Sequence, residues 1–196
     1  MGTAVIAVHA LLPASVGREL LYAMIGAAAL GGFVVGVLRG RPTHRPAWIL
    51  LGAGMAAWVL GDIVWIVLET GLGIDQFPSA ADVLYLLGYP ALAGGLYLVS
   101  RARNGGGDLA VLDALVTGVA VALVMWVAFI EPTWTAAEGT MIARLVAAAY
   151  PIGDVVLIVQ LVNLGGSGLR RSRSLRLIGG ALVLVLLGDL IFQASL

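Results

Sequence analysis

Apolar runs of membrane-spanning length alternate with short polar breaks along nearly the whole chain. The pattern predicts helices over 18–38, 47–69, 80–100, 109–131, 142–163 and 175–195. Each is near the roughly 17–25 residues that a helix needs to cross the hydrocarbon of a bilayer. The breaks carry turn chemistry: Arg39-Gly40-Arg41-Pro42, Gly71 through Pro78, Asn104 to Gly107, Glu131-Pro132 and Gly165-Gly166-Ser167-Gly168. The expected fold is all-α, a polytopic transmembrane bundle of about six helices forming one domain over 1–196. A shorter apolar stretch, 3–12, has no basic segment before it. It reads as an interfacial or extended start to the first helix, with a signal peptide as the alternative.

Composition closes off other fold classes. Hydrophobic residues make up 61% of the chain and charged residues 11%, and the mean hydropathy is +1.04. A soluble domain carries about 25% charged residues, so this chain cannot dress a water-facing surface, and the lipid bilayer is its first expected partner. The 196 residues are used up by the spans and leave no room for a soluble catalytic domain. There are no cysteines, which excludes disulfides, thiolate metal sites and cysteine nucleophiles. All 11 basic residues are arginine, so no lysine can form a Schiff base with retinal or pyridoxal phosphate. The two histidines are His9 and His44, and His44 falls in a predicted loop, which leaves no pair of intramembrane imidazoles for haem. No phosphate loop, dinucleotide glycine fingerprint, nucleophile elbow or zinc-protease motif is present. No cofactor, metal, nucleic-acid partner or enzymatic activity is expected.

Arginine placement predicts an orientation. The first, third and fifth loops hold Arg39, Arg41 and Arg45, then Arg101 and Arg103, then Arg170, Arg171, Arg173 and Arg176. The second and fourth hold Asp75 and Glu138 and no arginine, with Arg144 just inside the next helix. The positive-inside rule makes the arginine side cytoplasmic. The expected location is the plasma (inner) membrane, with both termini outside.

Ionisable groups within spans are the informative chemistry, because each costs at least about 2.5–3.5 kcal/mol at a helix centre. Asp62, Asp154 and Asp189 fall well inside predicted helices, while Glu69, Asp82, Asp113 and Glu131 lie nearer the ends. Helical spacing puts Trp58, Asp62, Trp65 and Glu69 on one face of the second helix, and Asp82, Tyr85 and Tyr89 on one face of the third. Tyr150 and Asp154 are one turn apart on the fifth, as are Asp189 and Gln193 on the sixth. Asp62, Trp65, Glu69, Asp82, Tyr85, Tyr89, Tyr150, Asp154 and Asp189 form the candidate ligand-binding set, a polar, aromatic-walled cavity in the outer half of the bundle that takes a small molecule or a proton. The competing account is interhelical hydrogen-bond glue, worth about 0.6 kcal/mol per bond in membranes. Pro90 and Pro151 fall inside spans and should bend them beside Tyr89 and Tyr150.

Gly32, Gly36 and Gly40 repeat along the first helix. This small-residue face suits packing within the bundle or homodimerisation. A faint internal repeat pairs Val59–Trp65 with Leu186–Phe192, and Tyr89-Pro90 with Tyr150-Pro151; such matches also arise by chance in apolar sequence.

The stretch from Gly61-Asp62 through Glu69, then Phe77-Pro78-Ser79-Ala80-Ala81-Asp82-Val83-Leu84-Tyr85 to Tyr89-Pro90, with Tyr150-Pro151-Ile152-Gly153-Asp154 later, carries a resemblance. It resembles the N-terminal multi-helix membrane region of actinobacterial GGDEF/EAL proteins, which make or degrade cyclic di-GMP. The resemblance spans roughly 48–192 and implies a sensory membrane region of a signalling protein. Neither a Gly-Gly-Asp-Glu-Phe nor a Glu-Ala-Leu motif is present, so the resemblance implies no cyclase or phosphodiesterase activity. A small proton-coupled transporter and a structural membrane subunit are the other readings of the same residues.

Overall fold

The computed structural model describes residues 16–42, 44–74, 76–104, 140–166 and 173–194, with scattered positions between 116 and 131; Asp189 and Gln193 are described by their backbone alone. The stretch 3–12, most of the expected helix 109–131, and Asp113, Glu138, Arg170 and Arg171 lie outside the described residues. The fold is an all-α bundle, with no strand among the described residues. We number the helices α1 (Val16–Gly40), α2 (Arg45–Ile66), α3 (Ala80–Asn104), α4 (Met141–Gly166) and α5 (Arg173–Ala194).

Four segments, Glu19–Gly40, Arg45–Gly71, Ala80–Ala102 and Met141–Leu164, are long and apolar enough to cross a membrane. In α5 the apolar stretch among described residues is shorter, Arg176–Gly188. Large apolar side chains on the outer surface, such as Leu38, Ile49, Leu87, Ile152 and Leu177, are exposed. A water-soluble monomer rarely shows continuous apolar surface of that extent, whereas lipid covers it at no cost.

Local chemistry explains the helix ends. Glu19 in the first turn of α1 and Arg39 in the last complement the helix dipole. Arg41 follows with φ 42° and donates its N–H to the Val37 carbonyl at 3.1 Å, ending the helix in a left-handed residue. A proline in the first turn starts α2. At its far end α2 widens into a π-helical turn, Val67–Gly71, closed by the Leu72 N–H on the Val67 carbonyl. The Phe77–Pro78 peptide in the approach to α3 is cis. Thr140 Oγ1 accepts the Ala143 N–H at 3.3 Å to begin α4.

Between apolar helices in lipid there is no hydrophobic drive, so close backbone approach does the packing. Among the described residues the α2/α3 pair is the most extensive interface and shows this directly. Leu51 lies over Gly95, Leu92 over Gly54, Trp58 over Gly88, and Tyr85 over Gly61. As one partner rises in number the other falls, so α2 and α3 are antiparallel. The core they share holds Ala47, Leu51, Leu92 and Leu96, extended by Leu157 and Leu164 of α4 and by Leu182 and Leu186 of α5. α1 lies against α2 through Phe33, tilted on Trp48 with ring centroids 5.9 Å apart, and through Gly26 beside Val59.

The stripe of Gly32, Gly36 and Gly40 is exposed, and a Cβ added at any of them would meet nothing within 4 Å. Packing of that stripe within the bundle is therefore not realised among the described residues. The reason is rotational: α1 turns Gly26 and Phe33 toward α2, and the stripe points elsewhere.

Candidate functional site

Three tyrosine hydroxyls each donate to an aspartate on another helix. Tyr85 of α3 donates to Asp62 Oδ1 of α2 at 2.8 Å. Tyr89 of α3 donates to Asp154 Oδ1 of α4 at 2.9 Å. Tyr150 of α4 donates to Asp82 Oδ1 of α3 at 2.5 Å. The last two bonds cross the same interface with the roles exchanged, acid and phenol each being supplied once by each helix. Both residue numbers rise together between them, so α3 and α4 run parallel.

Glycines make the rings fit. A Cβ at Gly61 would stand 2.7 Å from the Tyr85 ring, and one at Gly153 would collide with the Tyr89 ring. In each case the next residue is the aspartate that accepts that tyrosine's hydroxyl. A Gly-Asp dipeptide on one helix thus receives a tyrosine from its neighbour: the glycine admits the ring and the aspartate takes the proton donor at its tip. Gly188-Asp189 repeats the dipeptide on α5, where among the described residues nothing lies within 4 Å of a Cβ at Gly188.

The pairs are joined through rings. Trp58 lies over Gly88 and donates its indole N–H to the Tyr85 carbonyl at 3.0 Å. Its ring meets Tyr89 edge-on at 5.5 Å, and Tyr89 meets Tyr150 edge-on at 6.3 Å. Such T-shaped contacts add about 0.5–1.5 kcal/mol beyond burial. The Asp62 side chain also approaches α1, since a Cβ at Gly26 would come 3.9 Å from its Oδ2. One continuous network therefore links α2, α3 and α4 and borders α1.

Asp82 does double duty. Its Oδ2 accepts the Ser79 backbone N–H at 2.6 Å, while Ser79 Oγ accepts the Ala81 N–H at 3.2 Å. This is a capping box in which an aspartate takes the usual place of glutamate. The sequence suggests that Asp82, near a helix end, is solvated by water or headgroups. Instead it is buried, because α4 closes over it. Asp154 is more deeply enclosed, at 1% exposed.

Of the candidate set, Asp62, Asp82, Tyr85, Tyr89, Tyr150 and Asp154 come together. Trp65 and Glu69 are exposed. The antiparallel register accounts for this: Trp65 is level with the first turn of α3, where the interface ends, and Glu69 has run past its start at Ala80. The Asp189 side chain lies outside the described residues. Spacing put Trp58 on the face of Asp62 but did not single out Gly61, Gly88 and Gly153. The signal available for two of them was a glycine immediately before an intramembrane aspartate.

The prolines stand where the network can use them. Pro90 and Pro151 lie inside α3 and α4, each directly after a network tyrosine. Lacking an N–H, each leaves the carbonyl four residues earlier, at Leu86 and Ala147, without its helical donor. Each helix thus lacks one backbone bond beside a tyrosine that binds across the α3/α4 interface. Comparison with family models, curated proteins and solved structures finds no match for this chain.

Proposed function

We propose that this chain is the membrane-embedded sensory module of a signalling protein. Its input is a proton or a small polar ligand that competes with tyrosine for the network carboxylates. The observation that carries the reading is the set of three interhelical Tyr–Asp bonds, two of them made by tyrosines that precede helix prolines. Acids in lipid carry a standing cost, and packing α2, α3 and α4 calls for none of them. A proton or ligand that favours one arrangement of the network shifts a two-state equilibrium by its differential affinity. The prolines give α3 and α4 a point at which to bend. The resemblance to the membrane region of GGDEF/EAL proteins supports the same reading.

In this proposal the arginine loops face the cytoplasm of a plasma (inner) membrane, and the network lies toward the outside. A homodimer through the outward stripe of Gly32, Gly36 and Gly40 belongs to the same picture.

Trp58 supplies the test, since it contacts two network tyrosines. With the other four tryptophans replaced by phenylalanine, its fluorescence in lipid nanodiscs should show a transition on pH titration or ligand addition. Asp62→Asn and Asp154→Asn should abolish that transition while leaving the helical circular dichroism intact. If folded variants keep the transition, or both variants fail to fold, the acids are structural and the proposal is lost. Proline-broken helices carrying acids also suit a proton-coupled carrier. Proton flux into proteoliposomes would favour that alternative, because a sensor has none.

A further inference from the structure

Asp82 uses its two carboxylate oxygens for bonds of different range. Oδ2 holds the Ser79 amide, three residues away, and so fixes where α3 begins and how residues 76–79 enter it. Oδ1 holds the Tyr150 hydroxyl, 68 residues away, and so fixes α4 one residue before Pro151. A carboxylate is one planar group and cannot turn to improve one bond without disturbing the other. At 9% exposed, Asp82 leaves water little access to replace either partner. Asp62 and Asp154 stand in mid-helix, so a helix start and a neighbouring helix meet on one acid at Asp82 alone of the three.

We propose that Asp82 is a coupling residue: residues 76–79 and the Tyr150–Pro151 turn of α4 take up and lose their positions together because one side chain holds both. Phe77, in the coupled segment, is 53% exposed, so the segment is open to whatever binds on that side of the bundle. Displacing it loosens Asp82, then Tyr150, then the Tyr89 ring that Tyr150 touches. The role of this relay as an input to the network rests on the sensory reading above. The coupling itself can be measured with no signalling output, so the two ideas fail separately.

Amide hydrogen exchange on the full chain in nanodiscs tests it. Tyr150→Phe removes the donor to Oδ1 and no atom of the α3 cap. Exchange at Ser79 and Ala81, the two amides held in the cap, should nevertheless rise about threefold or more, the change in opening equilibrium for an interhelical bond of ordinary membrane strength. Ser79→Ala weakens the cap and touches nothing on α4. It should raise exchange at Ile152–Val155 in the same way. The proposal is overturned if Tyr150→Phe speeds exchange in α4 alone, or if Ser79→Ala speeds it in α3 alone. Asp82→Asn should loosen both places, and the first two variants decide the matter even if it does not fold.

Discussion

A tyrosine and an aspartate are each expensive in lipid and inexpensive together, and this chain places three such pairs between helices. Tyr89→Phe keeps the ring against Trp58 and Tyr150 and removes only the donor to Asp154. It should cost about 0.6–1.7 kcal/mol, measured by reversible unfolding in mixed micelles; no change would mean that the bond carries no net stability. Gly153→Ala should cost more, about 1–3 kcal/mol, because its Cβ would collide with the Tyr89 ring. Gly180→Ala is the control. That position is open and helical, so alanine there should be neutral or stabilising by up to about 1 kcal/mol. Most of the network residues were legible in the sequence, because an acid inside an apolar run stands out and helical spacing groups it with its neighbours on one face. Their partners were not. Spacing within one helix cannot say that Tyr85 reaches Asp62 while Tyr89, one turn on, reaches α4 instead; that depends on the register between helices. The same register leaves Trp65 and Glu69 exposed, although their spacing matches Asp62.

At the scale of helices, the apolar runs located the elements and missed their ends in informative ways. α3 is expected over 80–100 and continues to Asn104, because Arg101 and Asn104 can extend a helix beyond the hydrocarbon without cost. α2 is expected over 47–69 and passes instead into the Val67–Gly71 π turn, whose hydrogen-bond shift has no signature in hydropathy. Pro90 and Pro151 were visible as prolines inside apolar spans, but their effect depends on the tyrosines before them. Pro90→Ala restores a donor for the Leu86 carbonyl and favours a straighter α3. In that background the cost of Tyr89→Phe should shrink toward zero, since a straightened α3 carries Tyr89 away from Asp154. A double-mutant cycle in the same micelle assay checks this, and an undiminished cost would show that the kink does not position the hydroxyl.

For the molecule as a whole, composition established the solvent: a chain with 11% charged residues must be covered by lipid. The proposed orientation can be tested cleanly because the sequence has no cysteine of its own. A cysteine replacing exposed Gln76 should react with a membrane-impermeant maleimide in intact cells, and one replacing exposed His44 only after lysis. The opposite pattern would invert the bundle. What hydropathy could not supply was neighbourhood, since it gives the order of spans and not which of them touch.

That neighbourhood has a consequence in time. The Tyr85–Asp62 bond joins residues 23 apart on adjacent antiparallel helices, so it can close as soon as the α2–α3 hairpin leaves the ribosome. The bonds of Asp82 and Asp154 join residues 68 and 65 apart on parallel helices, and these must wait until the chain has crossed back and α4 has been made. Until then Asp82 has only its own helix cap, and Tyr89 lacks the aspartate it will bind. The nascent protein thus passes through a stage in which α2 and α3 are already joined while the α3/α4 pairs are still open.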